Sequence, residues 1–367
     1  MRLRGLERAV LAVALARPRE RQREVARERD AAAHRRSLRT ALVAAIVVLA
    51  GCGGSGSDGA PNSSATLTLD FQPNAVHTGI ELAVERGFTD AEGVDLEVRA
   101  PSQSTDSVAL LLTGRTKFAI LDLHDLAIAR DKGRDLVAVM AIVQDPLAAV
   151  IAQPGTASPK ALEGKRVGVT GLPSDVAVLD SVVRGAGGDP AKVRRVTIGF
   201  EAVPALISGR VAAATAFWNA EGVAIADRRP GTKVFRMEDY GAPAYPELVL
   251  TVTRETLQDD PDLVRATVHA LQRGYRETLA DPESGIEALV KAAPGTKRGP
   301  ALKELNTVAS SFRATDGTIG TFNARRLARW AAWEQRFGIV KRPPAVAQMF
   351  AGDFARSGAK KAAEEDG

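Results

Sequence analysis

The chain has one cysteine, Cys52, in 367 residues, with four histidines and 5% aromatic side chains. One thiol closes no intramolecular disulfide, so stability has to come from buried apolar surface. After Cys52 the histidines are His77, His124 and His269, far apart in sequence. Neither paired thiols nor clustered imidazoles offer the spacing of a soft-metal site, so no metal and no cofactor is expected. No Gly-x-Ser-x-Gly elbow, Walker loop or GxGxxG loop occurs, and no catalytic residue is assigned. Excess positive charge is confined to one end. The formal charge is +5, but residues 1–51 hold twelve Arg against five acidic residues, a net of +7, which leaves the rest at −2. No Lys/Arg cluster with interleaved aromatics follows, which argues against a nucleic-acid partner.

The apolar run Ala41 to Ala50 follows Arg35, Arg36 and Arg39 and ends at Gly51-Cys52. It falls short of the about 20 residues that span a bilayer. A basic flank, a short apolar core and small residues before the cut describe a secretory signal. Leu49-Ala50-Gly51-Cys52 resembles the lipobox of bacterial lipoproteins, which implies acylation of the Cys52 thiol and loss of the residues before it. Residues 1–51 then form a leader and signal peptide, and 52–64, rich in Gly and Ser, a flexible tether. Either the true start lies further in, or residues 1–34 are a cytoplasmic extension. The protein is expected outside the cytoplasm, held to the membrane through a lipid anchor.

From Ala65 the pattern alternates strand and helix. Strands are predicted at Ala65 to Asp70, Asp95 to Arg99, Phe118 to Leu121, Lys165 to Thr170 and Leu248 to Val252. Helices are predicted at Gly79 to Arg86, Ser107 to Leu112 and about Asp175 to Arg184, with a helical pattern from Asp260 onward. Such alternation indicates an α/β fold with mainly parallel sheets. An approximate repeat offset by 95 residues relates Leu111-Leu112-Thr113-Gly114-Arg115 to Leu206-Ile207-Ser208-Gly209-Arg210, each followed by a small apolar strand. Any helix–Gly–strand unit looks somewhat alike, yet two similar lobes explain the match economically. Lobe 1 is expected over 65–151 plus 248–354, lobe 2 over 152–247, and a frayed tail over 355–367.

Binding residues are sought where open sheets hold ligands, beyond the carboxyl ends of strands. Asp70-Phe71-Gln72-Pro73-Asn74-Ala75-Val76-His77 offers an aromatic ring, an amide and an imidazole. Phe71 could equally be core, Asn74 a helix cap and His77 a satisfied structural histidine. Phe217-Trp218-Asn219-Ala220-Glu221-Gly222 adds rings that stack on a planar ligand and a carboxylate that accepts from amino groups. Gly171-Leu172-Pro173-Ser174 at a helix start could hold a hydroxyl, amide or phosphate oxygen, or be an ordinary turn.

Taken in order, Asp70-Phe-Gln-Pro-Asn74-x-x-His77-Thr-Gly79, Gly171-x-Pro-Ser174, Trp218-Asn219-x-Glu221-Gly222 and Arg236-Met-Glu-Asp-Tyr240-Gly241 resemble the substrate-binding lipoproteins of ABC importers for thiamine pyrimidine precursors. The resemblance implies a two-lobed periplasmic-binding-protein-like fold (type II) with the ligand in the cleft between lobes. It implies a small aromatic pyrimidine ligand, hydroxymethylpyrimidine or formylaminopyrimidine, and an ABC permease subunit as partner. It also implies a monomer. By motif match, Phe71, Asn74, His77, Gly171, Ser174, Trp218, Asn219 and Glu221 would form the site. The family often carries Trp at the place of Phe71 and Tyr at that of Phe217, which keeps a stacking face but loses a donor. A related fungal enzyme builds the pyrimidine with a Cys-rich iron motif that this chain lacks, so a binding role without enzyme activity is expected. Alternatives are another solute on the same fold (riboflavin, an alkanesulfonate or nitrate), an enzyme using His77 or His124, or a sensor module.

Overall fold

Ten strands divide into two five-stranded sheets in a computed structural model that describes residues 63–101 and 107–365. The lipobox with Cys52, the leader and most of the tether lie outside the described residues. One sheet holds β1 (Ser63–Thr68), β2 (Val94–Arg99), β3 (Phe118–Asp122), β4 (Leu136–Val143) and β10 (Leu248–Thr253), in the order β2-β1-β3-β10-β4. The other holds β5 (Ala148–Ala152), β6 (Arg166–Val169), β7 (Arg194–Thr197), β8 (Ala213–Phe217) and β9 (Lys233–Arg236), in the order β7-β6-β8-β5-β9. Both sheets belong to one compact unit of the chain.

The sheets share a plan. Three parallel strands come first, then one antiparallel strand contributed across the boundary: β10 between β3 and β4, β5 between β8 and β9. The repeat seen in sequence maps onto this plan, because β3 and β8 hold the same third position. The chain crosses between lobes twice, at 144–147 and at 237–247. The first crossing corrects the expected boundary: residues 148–151 belong to β5 and so to the second sheet.

Burial explains the sequence patterns. All eight residues of β4 are buried, as an unbroken apolar strand covered on both faces must be, whereas edge strand β2 alternates. On one face of the first sheet the helices Thr78–Glu85 and Pro261–Ala280 lie in direct contact at glycines. A Cβ on Gly274 would sit 2.0 Å from the Gly79 carbonyl oxygen. The other face merges with the near face of the second sheet into a common core that includes Trp330 and Trp333 of the helix Ala324–Arg336. The outer face of the second sheet rests on a small cluster around Ile151, Leu206 and Ile225.

The tail also differs from expectation. Asp353–Glu365 is helical, with Ala355 fully buried and Ser357 hydrogen-bonded to His269 at 3.1 Å. Its charged composition masks an apolar side that packs on Pro261–Ala280.

Candidate functional site

The carboxyl ends of β1, β3, β6, β7 and β8 converge on a cleft of about 710 Å³ between the two sheets. Two of its walls meet as an aromatic pair: Phe71, from the end of β1, and Phe200, after β7, lie 4.6 Å apart with rings at 70°. Phe217 at the end of β8 adds a third ring.

Four of the residues read from sequence line this cleft: Phe71, Gly171, Ser174 and Glu221. Gly171 has φ +107°, a left-handed conformation that favours glycine, and its turn brings the helix Pro173–Gly185 into the cleft. Glu221 opens the helix Glu221–Arg228 and accepts from the Phe217 N–H at 3.3 Å.

The other four, Asn74, His77, Trp218 and Asn219, are not among the residues that line it. Asn74 and His77 cap each other: Asn74 Oδ1 accepts from Val76 N at 3.0 Å, and His77 Nδ1 accepts from Asn74 N at 3.1 Å. That leaves His77 Nε2 to donate to Asp70 Oδ1 at 2.9 Å, so the imidazole holds the cleft residue Asp70 from beneath. Trp218 braces the first crossing. Its Nε1 donates to Pro146 O at 3.0 Å, and the Arg236 guanidinium lies 3.8 Å over its ring. Asn219 is fully buried, and neither atom of its side-chain amide has a hydrogen-bond partner.

Phe200, Asp122, Asp125 and Asp175 complete the site; Asp122 and Asp125 stand out in sequence as polar residues at the carboxyl end of the Phe118 to Leu121 strand, whereas Phe200 and Asp175 were not singled out as ligand contacts. Asp125 reaches across from the first lobe: its two oxygens accept from Ser174 N at 3.1 Å and Ser174 Oγ at 3.0 Å. Asp175 accepts from Thr170 on its own lobe.

Burial governs the electrostatics. It pushes the Glu221 carboxyl up to about 7, against the lowering pull of the backbone amides it accepts from. It raises Asp125 to about 6, with the two Ser174 donors opposing, and raises Asp175 against Thr170. Asp122 is driven well above the carboxylate range, first by burial and then by neighbouring Glu247, itself raised to about 7 by burial. Near neutral pH such a cleft presents carboxyl groups that can both donate and accept.

Beneath the cleft, Asp122, His124 and Glu247 each place an oxygen or nitrogen within 4.8 Å of the others. The groups already have partners. His124 contacts Glu334 through Nδ1 and Tyr245 Oη at 3.0 Å through Nε2, while Glu247 accepts from the amides of Leu147 and Ala148. The cluster is a buried hydrogen-bond network at the crossings, with Glu247 of the second tied to the start of β5 after the first.

Two α/β lobes, two crossings and a cleft at facing strand ends define the two-lobed fold of periplasmic solute-binding proteins. The periplasmic aliphatic sulphonate binding protein SsuA of Escherichia coli superposes with a TM-score of 0.62 at 14% identity, over 81% of this chain and 100% of that one. Residues 74–285 match the family described as NMT1/THI5 like. The formylaminopyrimidine-binding protein of Halalkalibacterium halodurans is 31% identical over 253 residues, 68% of this chain and 77% of that protein. The chain belongs to the NMT1/THI5-like family. A 4-amino-5-hydroxymethyl-2-methylpyrimidine phosphate synthase of Legionella pneumophila is 27% identical, over 63% of this chain and 74% of its own.

Proposed function

We propose that this protein is the extracytoplasmic receptor of an ABC importer and binds a thiamine pyrimidine precursor, formylaminopyrimidine or hydroxymethylpyrimidine. The observation that carries the reading is Glu221, a carboxyl poised near neutrality at the edge of an aromatic-walled cleft. In its protonated form Glu221 donates to a ring nitrogen and accepts from the adjacent amino group, a paired contact suited to an aminopyrimidine. Phe71, Phe200 and Phe217 supply faces and edges for the ring. The identity to a formylaminopyrimidine-binding protein supports the same ligand class. The protein works as a monomer, anchored through acylated Cys52, and presents its closed form to the permease.

The synthase name of the Legionella relative raises enzymatic turnover as a second reading. Binding is favoured because both ring nitrogens of His77 and of His124 are engaged by the protein itself. An alkanesulfonate or nitrate fits a cleft lined by Asp70, Asp122, Asp125, Asp175 and Glu221 poorly.

Calorimetric titration with both pyrimidines, with riboflavin and taurine as controls, tests the assignment. Micromolar or tighter binding of one pyrimidine is expected. Glu221→Ala should weaken it by about 1–3 kcal/mol, the cost of stranding a hydrogen-bond partner. Wild-type affinity should decline as pH rises above about 7, where Glu221 loses its proton. Heat only with a control solute, or unchanged affinity in Glu221→Ala, would remove the assignment or the residue respectively.

A further inference from the structure

The helix Pro173–Gly185 begins in the cleft without a side-chain cap of its own, since Leu172 stands at its N-cap. First-turn N–H groups without an intrahelical partner and the positive end of a thirteen-residue helix make such a point attractive to anions. Lys132 and Arg134 are the cations among the described residues lining this cleft. In the structure the position is filled from the other lobe. Asp125, on the helix Leu123–Asp131 after β3, accepts from both the backbone N–H and the hydroxyl of Ser174. The cap of a helix in one lobe is thus supplied by the other.

We propose that Asp125 is a specificity-determining residue that excludes anionic solutes. A sulfonate, sulfate or carboxylate that reached the first turn of Pro173–Gly185 in an open cleft would occupy the place Asp125 takes on closure. Two anions would then face one another across Ser174, and closure would be opposed by their repulsion. A neutral solute leaves the helix start free, and Asp125 caps it as the lobes meet. Selection therefore acts at the closing step. It adds a repulsive element to the attractive contacts of Glu221 and the aromatic rings, and for the identity of the accepted solute it rests on the function proposed above.

The carboxylates around Asp125 do not duplicate this role. Asp175 turns back to Thr170 within its own lobe, Asp122 faces Glu247, and Glu221 receives the Phe217 amide. Asp125 alone among the described carboxylates is hydrogen-bonded to Ser174.

Calorimetry of the wild type, Asp125→Ala, Asp125→Asn and Ser174→Ala with methanesulfonate, sulfate, formylaminopyrimidine and hydroxymethylpyrimidine tests the proposal, with circular dichroism and melting temperature confirming that each variant is folded. Wild type and Ser174→Ala should give no heat with methanesulfonate or sulfate at millimolar concentration. Asp125→Ala should bind at least one of them at least tenfold more tightly, and Asp125→Asn should fall between. Should Asp125→Ala misfold, Asp125→Asn, which keeps an acceptor for Ser174, carries the test alone. Folded variants that reject both anions as the wild type does would overturn the proposal, as would wild-type binding of methanesulfonate. Gain of anion binding in a protein that ignores both formylaminopyrimidine and hydroxymethylpyrimidine would uphold Asp125 and overturn the solute assignment instead.

Discussion

The two lobes follow one strand plan but are built to different strengths. The first sheet is buried under helices on both faces, and most of the chain after Thr253 packs against it. The second shares one face with the common core, carries only the small Ile151–Ile225 cluster on the other, and has largely exposed edge strands in β7 and β9. A firm platform paired with a lighter lobe suits hinge closure, in which one body moves over the other. The crossings are held to the platform: Arg326 donates to Gln144 O at 2.7 Å and to Asp145 Oδ1 at 2.8 Å.

Two alanine substitutions at close-packed glycines should show the contrast most strongly. In the platform, Gly274→Ala would drive a methyl to 2.0 Å from the Gly79 backbone oxygen, which cannot yield without parting two helices. A loss of about 3 kcal/mol or a failure to fold is expected. In the lighter lobe, Gly168→Ala meets the side-chain end of Ile198 at 2.4 Å, which a rotamer change can move, and about 1 kcal/mol or less should be lost. Chemical denaturation of the two variants checks this, and equal losses would break the comparison.

Of comparable size is the pH dependence set at and above the crossings. Glu221 and Glu247 have folded-state values of about 7 against 4.5 for the free side chain. The folded state therefore holds extra protons between those values, and stability falls as pH rises through that interval, by order 2–3 kcal/mol per carboxyl. His124 is raised to about 9 by Glu334 and Asp122, in opposition to its burial. Its contribution is present below 6.5 and is lost as pH rises through 9, so the two effects run in the same direction. The melting temperature should peak near pH 5 and decline steadily to pH 9; a maximum near pH 8 would contradict the assignments. Glu247→Gln should flatten the part of the profile below pH 7.

The smallest effect belongs to Lys303–Asp227, an exposed ion pair that joins a platform helix to the lighter lobe. Lys303→Ala should change stability by less than about 1 kcal/mol, and the change should fade in high salt. A larger, salt-insensitive loss would mean that the lobes are held together at their surface as well as at the crossings.

Elements whose pattern matched their surroundings were legible in the sequence. β3 is apolar from Phe118 to Leu121 because both its faces are covered, and its mate β8 was found through the repeat. The helix Ser107–Leu112 was bounded by Gly114. Strands β7 and β9, short and half exposed, left no periodic signal. β7 was the costly omission, because the rule that ligands lie beyond strand ends, applied there, leads directly to Phe200. Asn74 and His77 were read as ligand contacts, and the structure shows a local use for both: their i, i+3 spacing at a helix start is a capping signal, and each caps the other. Asp125 stood in the polar stretch after β3, but its role needs a partner from another lobe, and no local pattern reports such a pairing.

The strand exchanged between lobes also sets an order of assembly. Every strand of the second sheet lies within residues 148–236, so that sheet can close as soon as those residues are available. β4 is made earlier, yet its one strand partner in the sheet is β10, more than a hundred residues later. Until Leu248–Thr253 arrives, an eight-residue apolar strand, Leu136–Val143, stands without a neighbour on either edge. Such a segment is the kind that seeds cross-β association. A truncated chain ending before β10 should therefore be the form most prone to aggregate.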